Sequence, residues 1–215
     1  MWKKLIAESI GTFTLVFCGT GAIVINQQSG GTVTHPGIAA TFGLVVMAMI
    51  YTFGAVSGAH FNPAVTLAFS STGRFERRLA LPYLGAQITG ALAASLTLAV
   101  LFPANGTLGA TLPAGSPVQS LVLEFLLTFF LMLVILFTSQ GSRETQPFAA
   151  IAIGGTVWLE AMFAGPVCGA SMNPARSIAP AVVSGHLEHL WVYLAAPVAG
   201  AWLAALVWRM MERGR

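Results

Sequence analysis

Polar residues are sparse along this chain, and they divide it into apolar runs of about 20 residues, the length that carries a helix across a ~30 Å hydrocarbon core. The runs fall at 4–26, 36–56, 80–102, 118–139, 147–165 and 190–209, which predicts six membrane-spanning helices. Two further stretches, "NPAVTLAFSS" (62–71) and "NPARSIAPAVVS" (173–184), are apolar but too short to cross. Each opens on Asn-Pro, and asparagine is a good helix N-cap while proline suits the first helical position. They read as half-helices, so the predicted fold is an all-α membrane protein of six spans and two re-entrant half-helices.

The pattern is written twice. Asn62 and Asn173 lie 111 positions apart, and the same offset pairs Pro36 with Pro147, Ala39 with Ala150, Gly43 with Gly154, Gly54 with Gly165, Gly58 with Gly169 and Ala59 with Ala170. More loosely, "ESIGTF" (8–13) matches "EFLLTF" (124–129). The chain thus reads as one domain, 1–215, made of a first repeat at 1–102 and a second at 118–215. Three spans per repeat is an odd number, so the second half must be inverted, an architecture that puts its site near the midplane. The half-helices would then enter from opposite faces and bring two positive dipole ends together. The loops before them, "SGAH" (57–60) and "CGAS" (168–171), are small and contain glycine. Irregular backbone at this depth is tolerated where it is buried or lines a water-filled cavity, so the loop backbone at Gly58, Ala59, Gly169 and Ser171 is a candidate pore lining.

Composition and charge agree with this picture. The chain is 56% hydrophobic and 8% charged, against about 25% charged in a soluble domain. Lys3, Lys4, Arg74, Arg77, Arg78, Arg143, Arg209, Arg213 and Arg215 all fall on one side of a six-span chain, while 27–35 and 103–117 carry no Lys or Arg. That asymmetry places both termini in the cytoplasm. The net charge of +3 is then a matter of topology and implies no nucleic-acid partner. Short loops and tails suggest a bacterial inner membrane. Lys3 and Lys4 before an apolar run could suggest a cleaved leader, but Glu8 interrupts the run, so it is read as a retained first helix. Cys18 and Cys168 have no metal-type spacing and read as small buried residues.

The same inventory bears on function. The chain has no Asp, no nucleophile–base pair and no cofactor loop, so no enzyme, cofactor or metal is expected. An ion-coupled transporter would need a charged relay at the midplane, where the sequence offers asparagines. A cation channel would have to pass two positive helix ends. What remains is a narrow passive pore for small uncharged molecules, in which the amides of Asn62 and Asn173 set water orientation. Arg176 is the one basic residue outside the topological pattern, and a guanidinium in a span is functional by default. A structural ion pair with Glu160, or bonds to loop carbonyls, is its alternative.

At these residues the chain resembles the aquaporin (major intrinsic protein) family: "SGAHFNPAVT", "SMNPARS" and a glutamate in the first helix of each half. The resemblance spans the whole chain. It implies one pore per subunit, a homotetramer in the lipid bilayer, and a centre formed by Asn62, Pro63, Ala64, Asn173, Pro174 and Ala175. Glu8 and Glu124 would brace the re-entrant loops. A selectivity filter would fall on Phe42, Ala161, Ala170 and Arg176, and His60 would line the cytoplasmic half of the pore or bond loop backbone. Strict water channels of the family carry histidine where this chain has Ala161. Glycerol channels carry Asp and Lys where it has Ser177 and Ala181, and two filter aromatics where it offers only Phe42. These residues, with Tyr193-Leu194, look most like the nodulin-26-like branch and its bacterial relatives, which pass glycerol and neutral metalloid hydroxides such as arsenous acid. A water-selective pore is the alternative. Glu160 could accept hydrogen bonds from a polyhydroxy solute, hold Arg176, or sit protonated against a neighbouring helix. Cys168 borders the outer pore in this resemblance but is not at the family's usual mercurial-reactive position, so sensitivity to mercurials is the alternative to a buried role.

Overall fold

The computed structural model describes residues 1–139 and 146–212; Arg143, Arg213 and Arg215 lie outside them. Among the described residues, six long helices are apolar enough to cross a membrane: α1 (Trp2–Gln28), α2 (Thr34–Ser57), α4 (Ala80–Leu101), α5 (Pro117–Ser139), α6 (Ala149–Cys168) and α8 (Leu190–Glu212). Between them lie two short helices, α3 (Pro63–Thr72) and α7 (Pro174–Ser184). The spans differ from the sequence reading by one to three residues at most of their ends, and α6 differs at both. α6 starts after a 3-10 turn at Gln146–Phe148, and it continues through Pro166 to Cys168 instead of stopping at 165.

Lipid tails are as apolar as leucine, so helices in a bilayer associate through close packing and small residues rather than through hydrophobicity alone. Glycines make that packing possible here. At Gly43 and Gly154, α2 and α6 cross so closely that a Cβ on either would lie 2.6 Å from the other's carbonyl oxygen. Gly90 of α4 rests on the Ser9 carbonyl of α1, and Gly200 of α8 rests on the Phe125 carbonyl of α5. In both pairs the last span of a half packs on its first, with a backbone carbonyl filling the space of the missing side chain.

The half-helices tie the two halves together, because α3 packs on α8 while α7 packs on α4. Arg209 of α8 donates to the Ser71 carbonyl in α3, and the Arg74 guanidinium lies 5.1 Å from the Trp208 ring. The C-terminal ends of α3 and α8 therefore meet at one face.

Candidate functional site

The loops before α3 and α7 hold backbone that most residues avoid. Gly58, Ala59 and Phe61 have φ of 88°, 51° and 49°, and Gly169, Ala170 and Met172 repeat this at 84°, 41° and 54°. A left-handed non-glycine residue costs on the order of 1–3 kcal/mol, so something must hold these conformations. Two buried carboxylates do. Glu8 accepts from the Ser57 hydroxyl (2.7 Å), the His60 N–H (3.0 Å), the Phe61 N–H (2.8 Å) and the Gln87 amide (2.7 Å). Glu124 accepts from the Ser171 N–H (2.7 Å) and the Met172 N–H (2.8 Å). A trans peptide points its N–H and C=O in opposite directions, so turning these N–H groups to the carboxylates turns the paired carbonyls away from them.

The two half-helices meet at their N-termini and lock across the junction. The Asn62 side chain caps α3 by accepting from the Ala64 N–H (2.9 Å), and its amide donates to the Met172 carbonyl (2.8 Å). Asn173 caps α7 by accepting from the Ala175 N–H (3.0 Å), and its amide donates to the Phe61 carbonyl (2.8 Å). An amide nitrogen has two hydrogens, so each asparagine keeps one N–H beyond this brace.

A cavity of about 850 Å³ runs alongside. Lys4 and Arg74 stand at one end; it passes His60, Asn62 and Asn173 and reaches Phe42, Ala170 and Arg176. Gly58, Ala59 and Ser171 also line it. His60 contacts the Thr66 hydroxyl through Nδ1 (3.0 Å) and packs among Phe69, Phe75 and Tyr83, so it is both a wall residue and a fixed one. Ser171 continues a hydroxyl chain behind the wall. Thr111 donates to Ser177 (2.8 Å), Ser177 lies 2.5 Å from Ser171, and Ser171 donates to the Asn173 carbonyl (2.9 Å).

Arg176 is 2% exposed. Its Nη1 donates to the Gly109 carbonyl (2.8 Å), and its guanidinium carbon lies 5.0 Å from the Phe42 ring centroid. Phe42 in turn packs on the bare backbone of α1 at Gly19. Of the alternatives for Arg176, the loop carbonyl is therefore present and the ion pair with Glu160 is not.

Two sequence expectations are met differently, and the alternatives for two further residues are narrowed. Gly169 does not line the cavity but packs on Thr111. On α6 the cavity wall reaches Val157, so Ala161 is buried one turn beyond it. Glu160 is buried off the cavity with Oε2 unpartnered, so it neither holds Arg176 nor faces a solute there. Cys168 is fully buried, its thiol turned to the Ala164 carbonyl (3.5 Å), which agrees with the reading of small buried cysteines and sets aside the alternative of exposure to mercurials.

Sequence reasoning also missed partners. Gln87 joins Glu8 to the Thr66 hydroxyl (3.0 Å), and a polar residue inside a span was a cue to look for that link. Gly109 left no such cue, since it acts through its carbonyl.

The profile of the Major intrinsic protein family matches residues 1–208. The chain is 50% identical over 210 residues to Aquaporin NIP1-3 of Oryza sativa subsp. japonica, covering 95% of this chain and 73% of that one. It is 47% identical over 211 residues to Nodulin-26 of Glycine max, covering 98% and 78% respectively. The X-ray structure of the aquaglyceroporin from Plasmodium falciparum superposes with a TM-score of 0.86 at 24% identity, over 96% of this chain and 95% of that one. With six helices able to span a bilayer, a matching family profile and nodulin-26-like relatives, the chain is an integral membrane protein of the major intrinsic protein, or aquaporin, family.

Proposed function

We propose that the protein is a passive channel, not an enzyme, for water and small neutral solutes, with a filter wide enough for glycerol and arsenous acid. The observation that carries this is the cavity, which runs past both asparagines to a level where Phe42 and Arg176 meet alanine at position 170. A neutral hydroxylated solute can exchange water for loop carbonyls and the free amide hydrogens of Asn62 and Asn173. A cation would be dehydrated against two helix N-termini and the Arg176 guanidinium.

The filter in this reading is Phe42, Ala161, Ala170 and Arg176, with Ala161 as the residue that sets its width above the cavity. Glu8 and Glu124 brace the pore loops. Four copies assemble, each with its own pore, on the strength of the resemblance. Lys4 and Arg74 mark the cytoplasmic mouth, with both termini on that side. The relatives named above come from plants, so a bacterial host is not carried further.

Stopped-flow light scattering on proteoliposomes tests the solute. The parent is expected to pass water, glycerol and arsenous acid above empty vesicles, and Ala161→His to reduce glycerol and arsenous acid flow roughly tenfold, equivalent to ~1.4 kcal/mol of barrier, with a smaller effect on water. Flow of water alone through the parent would return the protein to the water-selective reading.

A further inference from the structure

Pro166 stands inside α6 and has no N–H to give. The carbonyl four residues earlier, on Met162, therefore loses its helical donor and is pushed aside by the proline ring. In a bilayer a carbonyl without a partner is costly, and neighbouring helices are one source of repair. Here the repair comes from α2. His35 Nε2 lies 2.7 Å from the Met162 carbonyl oxygen, across 127 residues of sequence. The backbone makes room for it, because a Cβ at Gly165 would come within 2.9 Å of His35 Cε1.

The internal repeat supplies a control. At the 111-residue offset, Met162, Gly165 and Pro166 correspond to Tyr51, Gly54 and Ala55. Ala55 keeps its N–H, so the Tyr51 carbonyl needs no outside donor. The break and its repair occur only in the half that carries Ala161.

Their placement matters. α2 and α6 are pinned where Gly43 meets Gly154, and again where His35 meets Met162. Phe42 lies between the two pins on α2, and Ala161 lies between them on α6. We propose that His35 is a positioning residue of the constriction: its Nε2–H replaces the hydrogen bond that Pro166 removes and fixes the distance between the Phe42 and Ala161 walls, and so the size limit for solutes. This rests on the filter assignment of the preceding subsection. The neutral Nε2–H tautomer and the imidazolium both supply the donor.

The test measures water, glycerol and erythritol permeability of proteoliposomes holding the full chain. His35→Ala is expected to raise the erythritol-to-glycerol ratio several-fold, and His35→Gln, which keeps an N–H at similar reach, to hold the parental ratio. Pro166→Ala returns a helical donor to Met162, so in that background His35→Ala should no longer change the ratio. If His35→Ala does not insert, His35→Ala/Pro166→Ala is expected to insert and filter normally.

An unchanged ratio in His35→Ala overturns the proposal. So does a shift that persists with Pro166→Ala, or a double variant that fails to insert. Ala161→Trp is measured alongside. If it blocks polyols while His35→Ala does nothing, the positioning role alone falls. If it leaves polyol flow unchanged, the filter assignment is wrong and the positioning role falls with it.

Discussion

Glu8 and Glu124 are the residues on which the strained loops depend, and they are not equally loaded. Glu8 gathers two backbone N–H groups, a serine hydroxyl and the Gln87 amide, whereas Glu124 gathers two backbone N–H groups and stands near Cys168 where Glu8 has Ser57. Each buried donor left without an acceptor costs about 1–3 kcal/mol. Glu8→Ala is therefore expected to destabilise the protein by roughly 3–5 kcal/mol even with water entering the gap. Thermal unfolding in detergent would check this, and a loss below ~1 kcal/mol would mean that the loop holds its left-handed residues by packing alone. At this scale the sequence was legible where a residue type is improbable in a membrane, as with Glu8, Glu124 and Arg176. It was silent where the partner is a main-chain atom, as with the carbonyls of Phe61, Gly109 and Met172.

Each half-helix is specified by its own start: an asparagine cap, a proline at the first position and a left-handed glycine after the last turn, Gly73 or Gly185. That chemistry is local, which is why both half-helices could be placed from sequence to within a residue or so. What the caps do beyond their own helices is not local, since each amide also crosses to the other loop. Asn173→Asp separates the two roles. Its carboxylate can still accept from the Ala175 N–H, but it cannot donate to the Phe61 carbonyl and it puts negative charge where two helix N-termini converge. The variant is expected to keep its fold and to admit sodium, seen as a sodium flux in proteoliposomes that the parent lacks. Absence of that flux would mean that Arg176 alone bars cations. The end of α6 was misplaced in the sequence reading for a related reason. Pro166 ends a helix unless another element supplies the missing bond, and only the fold brings His35 there.

Across the whole molecule, the described basic residues Lys4, Arg74 and Arg209 gather at one end, two at the cavity mouth and one on the Ser71 carbonyl in α3. If that end is cytoplasmic, a membrane-impermeant maleimide should label Gly106→Cys on intact cells and Glu76→Cys only after permeabilisation. Both sites are exposed, while native Cys168 is buried and Cys18 partly so. The reverse pattern would invert the orientation. The sequence by itself determined the membrane class, the count of spans and the two half-helices, because span length, capping and the 111-residue repeat are written in short windows or in a fixed offset, and its motifs carried the resemblance to the family. Only the tertiary structure decided which atoms the inverted halves bring together: the crossed Asn62 and Asn173 amides, Arg176 on the Gly109 carbonyl, Glu160 away from both Arg176 and the cavity, and His35 on Met162. These contacts join residues 67 to 127 positions apart through backbone carbonyls and bare glycines. Such groups are common to every residue, so they leave no mark in a sequence until helix packing selects the few that meet.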